Sequence, residues 1–296
     1  MSATTATFDI SRGAARRRFR LFSTVKADPI LVAAILVVAL AVACAVVPGW
    51  IAPSNPNALA PDSLLQGPSR SHPLGTDEFG RDILSRIVHG ARVELVVAVL
   101  GVALALAIGV PIGVVSGYIG GFVDSLLMRI QDALLAFPSI LFAILVVAAF
   151  GASQTSIILT VGVIFVPRFA RLFRGSVLAL KEADFVTASR AAGASDARLI
   201  VRHILPNCLG ALLVQTTLAM AVAILIEAGL SYLGLGVQPP TATWGTMLKA
   251  AQSYAAQAPW YVLGPGFCIF ILVLALNTIG DGLRDRLDPR LRGVGR

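Results

Sequence analysis

From Leu95 to Tyr118 the chain runs for 24 residues without one charged side chain. A helix of that length spans about 36 Å, more than the roughly 30 Å of hydrocarbon in a bilayer. Five further segments are long and mostly apolar: Pro29–Trp50, Leu134–Phe150 with Pro138 near its start, a stretch from Ser156 past Pro167 into an Arg-bearing half, Leu209–Leu233, and Trp260–Gly280. Six spans put both termini on one side of a membrane. Composition closes off the other classes. Hydrophobic residues make up 56% of the 296 and charged ones only 14%, where a soluble domain carries about 25% charged residues. A globule this apolar could not cover its surface, and disorder requires low hydrophobicity. The chain reads as an all-α, multi-pass membrane protein.

Charge placement sets the expected orientation. With a cytoplasmic N-terminus, 19 Lys and Arg fall inside, in residues 1–28, at Arg129, from Arg168 to Arg202 and in the tail. Five fall outside: Arg70, Arg81, Arg86, Arg92 and Lys249. Acidic residues split ten inside and six outside. The net charge of +8 is therefore a topology signal that follows the positive-inside rule, not a nucleic-acid footprint. Trp50, Trp244, Trp260, Tyr254 and Tyr261 fall on the expected outer side, where aromatic anchors belong. A basic start and small residues before Cys44 loosely suggest a cleavable leader. The basic region is too long for one, and Ala41 fits poorly three residues before the cysteine, so an uncleaved first span is expected.

Small residues recur every fourth position in the second span: Gly101, Ala105, Gly109, Gly113, Gly117 and Gly121. That stripe lets a neighbouring backbone approach closely, either within the chain or at a subunit interface, and Pro111 within it suggests a kink. Glu227, near the outer end of the fifth span, is the one carboxylate within the last two spans. It suits a structural or gating role, or contact with solute. Gln215 and Met220 on the same span join it as candidates for a translocation path or gate. Cys44, Cys208 and Cys268 make no disulfide framework and read as small core residues.

Residues 180–207 are too polar for their place between two spans. They read as a helix, a break at Gly193, and a second helix restarting at Ser195 and Asp196, with Pro206 at the entry to the next span. The slim alanine-rich surface suits either an interfacial helix or one received in a cleft of a soluble partner. This segment resembles the EAA loop of permease subunits in binding-protein-dependent ABC importers. Gly193, Leu205 and Pro206 match that pattern at the right spacing. Thr187, Ala188 and Ser189 stand where the family has Glu-Ala-Ala, leaving no acid there, and His203 replaces an isoleucine. HPLGTDEFGRDILSRIVHGARVEL (72–95), ILIEAGLSYLGLGVQPPTATWGTML (224–248) and GDGLRDRLDPRLR (280–292) resemble blocks of the dipeptide, oligopeptide and nickel class, in the second of its two paired permeases.

The resemblance implies an importer half of type I permease fold in a bacterial inner membrane. A basic tail (1–28), a first span (29–50), an outer segment (51–91), a five-span core (92–280) and a cytoplasmic tail (281–296) make up the chain. The expected partners are a second homologous permease in a heterodimer, cytoplasmic ATPase subunits that carry ATP and Mg, and an extracytoplasmic solute-binding protein. Outer segments 51–90 and 234–258 would meet that binding protein. The ATPase would dock on Asp184, Thr187, Ala188, Arg190, Ala191, Gly193, Ala194 and Arg198, with Leu205 and Pro206 completing the loop. Gly109, Gly113 and Gly117 would pack helices. Peptides are the expected cargo, with nickel or another small polar solute as the alternative.

Other chemistry is missing from the chain. None of Lys26, Lys181 and Lys249 follows a glycine, so no phosphate-binding P-loop exists. His72, His89 and His203 are scattered and form no HExxH zinc helix, and no GxSxG elbow occurs. Arg168, Arg171 and Arg174 share a helix face and suit inner-leaflet anchoring or ATPase contact. A membrane-embedded hydrolase would need an acid beside Glu227, and none is evident nearby. A self-sufficient ion-driven transporter would show internal repeats, and none is seen. No catalytic residue, metal site or bound cofactor is expected.

Overall fold

The structure, a computed structural model, describes residues 28–287. The basic tail up to residue 27 and the end of the C-terminal tail from 288 lie outside the described residues. Among the described residues five helices are long and apolar enough to cross a membrane, or six spans if a bent pair over residues 121–150 counts as one. In chain order the helices are α1 (Pro29–Val46), α2 (Ile83–Ile119), α3 (Gly121–Ala136), α4 (Ser139–Phe150), α5 (Gln154–Lys181), α6 (Asp184–Ala191), α7 (Leu205–Tyr232), α8 (Trp244–Gln252) and α9 (Pro259–Leu287). The long ones are α1, α2, α5, α7 with the turns before it, and α9.

Their ends follow ordinary capping chemistry. Asp28 accepts from the Ile30 and Leu31 amides ahead of α1, and Asp82 accepts from the Ser85 amide at 2.8 Å ahead of α2. Each satisfies donors that the first turn leaves without a helical partner. At the far end of α1, Arg92 donates to the carbonyls of Ala45 (2.7 Å) and Val46 (3.1 Å). This residue was counted as an outer charge, and here it closes a helix terminus.

The third expected span is broken. Instead of one rod over 134–150, α3 and α4 meet at a bend of 89° around Phe137 and Pro138. Phe137 adopts an extended backbone with ψ of 128°, the conformation that a following proline enforces, and Pro138 has no amide to continue the ladder. The 12 residues of α4 rise only about 18 Å, so α4 alone falls short of a bilayer.

α2 packs most extensively on α5, through the small-residue stripe. A β-carbon on Gly113 would lie 2.3 Å from the Ala170 carbonyl oxygen, and one on Gly109 would lie 2.8 Å from that of Val166. One on Gly117 would meet the Arg174 carbonyl oxygen at 2.9 Å. The stripe thus serves contact within the chain. Gly121 lies beyond it, with nothing within 4 Å of its would-be β-carbon.

Two of the expected aromatic anchors are core residues instead. Trp244 and Tyr261 are buried, and the Trp244 indole donates to the Ile87 carbonyl at 3.0 Å. Trp50 is 93% exposed and keeps an anchor's setting. The three cysteines are free; Cys208 is buried and Cys44 and Cys268 are half-buried.

Candidate functional site

Two places concentrate polar groups, at opposite ends of α2. At its C-terminal end lies the segment that joins α5 to α7. α6 ends at Ala191, Gly193 turns the chain with φ of +84°, and a single helical turn, Asp196–Leu199, restarts it. A π-helical stretch, Ile200–Ile204, then runs into α7, which carries Pro206 in its first turn. Glycine is the residue for a positive φ because it has no β-carbon to clash. Ser195 occupies the N-cap position with an extended backbone but makes no side-chain cap bond. Its neighbour Asp196 instead accepts from the Tyr118 hydroxyl of α2.

Asp184, Thr187, Ala188, Arg190, Ala191, Gly193, Arg198 and Pro206 are exposed along this segment, and Ala194 and Leu205 are half-buried. What the sequence reading missed is how the segment is held. Val186, Leu199 and Ile204 are completely buried. Ile204 belongs to a small apolar core with Val114 of α2 and Phe173 and Val177 of α5, against which Ile200, Leu205 and Tyr118 also pack. His203 sits near Phe185, ring centroids 6.3 Å apart. The segment therefore has an anchored underside and an exposed crest.

The arginines of α5 do something not foreseen. Arg174 grips Asp124 of α3 with two bonds of 2.6 Å, a paired geometry that fixes direction as well as charge. Ser116 of α2 also donates to Asp124. Arg171 reaches Asp132, and Arg168 lies 5.0 Å from the centre of the Phe165 ring. Two of the three thus clamp the amphipathic α3 onto α5. The acids at Asp124 and Asp132 carry no signal of this pairing in sequence, being 50 and 39 residues from their partners.

At the other end of α2, the expectation that Glu227 has no second acid nearby is wrong. Glu94 of α2 lies within hydrogen-bonding reach of Glu227, and both are completely buried. Glu227 keeps its place near the end of α7 but is buried there, among helical partners and away from water. Glu94 accepts from the Trp244 amide at 3.1 Å, at the start of α8. Glu227 accepts from the Ser231 hydroxyl at 2.7 Å and lies in bonding reach of Thr243. The second oxygen of each, Oε2, has no hydrogen-bond partner. The pair joins α2, α7 and α8 and is sealed from water, which leaves a hydrolase no access. Glu94 escaped the sequence reading because it sits one residue before the uncharged run.

Gln215, Met220 and Glu227 are not brought together. Gln215 and Met220 are half-buried, and 12 residues of helix separate Gln215 from Glu227, about 18 Å along the axis. Near the C-terminal end of α7, a cleft of about 390 Å³ is lined by Ser231, Gln238, Thr246 and Lys249 among others. His72 meets Asp82 at 3.1 Å. Among the described residues no three potential metal ligands cluster.

Comparison with known proteins fits this geometry. Residues 109–293 match the family described as binding-protein-dependent transport system inner membrane component. A putative peptide transport system permease protein of Brucella suis is 46% identical over 261 residues, covering 88% of this chain and 87% of its own. The di/tripeptide transport system permease protein DppC of Pseudomonas aeruginosa is 43% identical, with 88% of each chain covered. The glutathione transport system permease protein GsiD of Shigella flexneri is 46% identical over 88% of this chain and 86% of its own. The inward-facing MetNI methionine ABC transporter has a chain of the same fold, with a TM-score of 0.58 at 18% identity over 70% of this chain and 98% of that one.

Proposed function

The chain belongs to the family of binding-protein-dependent transport system inner membrane components, and on that premise we propose that it forms half of a peptide-importing path. It is a transport subunit of an ABC importer, and the family brings with it an ATPase and a binding protein. The observation that carries the peptide reading is the relatives: three at 43–46% identity, over nearly nine-tenths of this chain, bear peptide, di/tripeptide or glutathione names. Glutathione is itself a tripeptide, so the three names share one chemistry.

In this reading the segment from Asp184 to Pro206 is cytoplasmic and receives the ATPase on its exposed crest. ATP and Mg are bound by that subunit, because this chain has no P-loop. The positive-inside balance of 19 against five supports cytoplasmic termini. A second permease completes the path, and segments 51–90 and 234–258 face the binding protein. ATP binding then shifts the population between two arrangements of the bundle through the turn.

Uptake into proteoliposomes holding the whole complex tests the reading, with labelled di- and tripeptides set against nickel. Peptide uptake that requires ATP and the binding protein is expected. Nickel uptake without peptide uptake would contradict it.

A further inference from the structure

The side-chain hydrogen bonds from the glycine turn to a membrane-crossing helix converge on one residue. Tyr118, in the last turn of α2, donates its hydroxyl to Asp196 just after Gly193. The Arg190 side chain, just before Gly193, lies within bonding reach of the same hydroxyl. One phenol thus bonds one arm of the turn and lies close to the other. The turn's other side-chain attachments, through Val186, Leu199 and Ile204, are apolar and so non-directional, and its backbone runs on as helix into α7. They hold the turn close, and the phenol is its hydrogen-bonded side-chain tie to α2.

The last turn of α2 is also firmly joined to its neighbours. Ser116 donates to Asp124, Asp124 is gripped by Arg174, and Gly117 lies against the Arg174 carbonyl. These contacts tie α2, α3 and α5 together beside Tyr118. From there α2 continues without interruption for 37 residues, about 55 Å. Eleven residues in from its start, Glu94 holds the first amide of α8. One continuous helix, with Pro111 inside it, thus links the turn at one end to the buried acid pair.

We propose that Tyr118 is the positioning residue that passes movement of the turn to α2, with Asp196 as its acceptor. The proposal rests on the reading that the turn docks the ATPase. Losing a single hydrogen bond of ordinary strength changes a two-state population about fivefold, and that sets the expected effect.

The test uses the complete complex in proteoliposomes and reads solute taken up per ATP hydrolysed. Tyr118→Phe removes only the donor and is expected to lower that ratio about fivefold while the ATPase still co-purifies. Asp196→Ala is expected to match it. Asp196→Asn keeps an oxygen that can accept and is expected to restore most of the ratio. The double variant Tyr118→Phe/Asp196→Ala is expected to be no worse than either single one, as for two residues acting through one bond. A merely structural role would lower the yield of complex and leave the ratio intact. Asp196 is exposed, so its variants keep the question open to measurement if Tyr118→Phe assembles poorly. An unchanged ratio in Asp196→Ala, with a wild type whose hydrolysis responds to solute, would overturn the inference alone. A wild type whose hydrolysis ignores solute would overturn the functional reading and this inference with it.

Discussion

The two ends of α2 are built on opposite plans. At one, Glu94, Glu227, Ser231, Thr243 and Trp244 are all buried and tied to each other by directional bonds. At the other, a turn with an exposed crest is held by three buried apolar side chains and one phenol. Buried polar networks of the first kind are costly to disturb, because a group left unpaired loses its solvation as well as its partner. The second kind is cheap to move. One helix therefore carries a tightly bonded knot in one half and a lightly held turn at its other end.

Substitutions along α2 can break or sharpen that contrast. The largest effect is expected between the two ends, at Gly113. Valine there would drive a side chain into the Ala170 carbonyl, and overpacking of this sort typically costs about 1–3 kcal/mol or more. Since the obstacle is backbone, loss of folded protein by size-exclusion chromatography in detergent is expected.

Glu94→Ala comes next. It removes the acceptor of the Trp244 amide and leaves Glu227 without its neighbour, at about 1–3 kcal/mol per unsatisfied group, read as a lowered thermal midpoint in detergent. Gly193→Val should cost less stability, because nothing lies within 4 Å of the added carbon and only the positive φ resists it, at about 1–2 kcal/mol. Its effect falls on function: membrane insertion stays normal while solute-stimulated ATP hydrolysis is lost. Normal stimulation would remove the coupling role from the turn.

The smallest effect is expected from Glu227→Gln. The amide keeps an oxygen for Ser231 and supplies a donor to Glu94, so transport is largely retained in an uptake assay. Complete loss with normal assembly would make the pair a solute or proton site instead of a knot.

Much of this was legible in the chain, and the part that was not has a physical cause. Long uncharged runs can be little else than membrane helices, so α1, α2, α5, α7 and α9 could be read directly. The glycine turn was readable because Gly193, Ser195 and Pro206 are punctuation with local meaning. Pro138 was also visible, but whether a proline near a span's start begins a helix or breaks one depends on what packs beside it. The pairs Glu94–Glu227, Asp124–Arg174 and Tyr118–Asp196 join residues 133, 50 and 78 positions apart. Nothing local marks such partners. Trp244 misled because a tryptophan's amphipathic ring suits a membrane interface and a core with one free carbonyl equally well.

The central claim is that this chain works as half of an ATP-driven importer, handled from the turn at Gly193. Tagging it in its native membrane, purifying it gently and identifying its companions by mass spectrometry tests that most directly. The account predicts a second permease, an ATPase and a solute-binding protein, with the ATPase lost on Gly193→Val or retained but unresponsive to solute. A wild-type chain that stays folded alone, with no ATPase in any mild detergent, would contradict it.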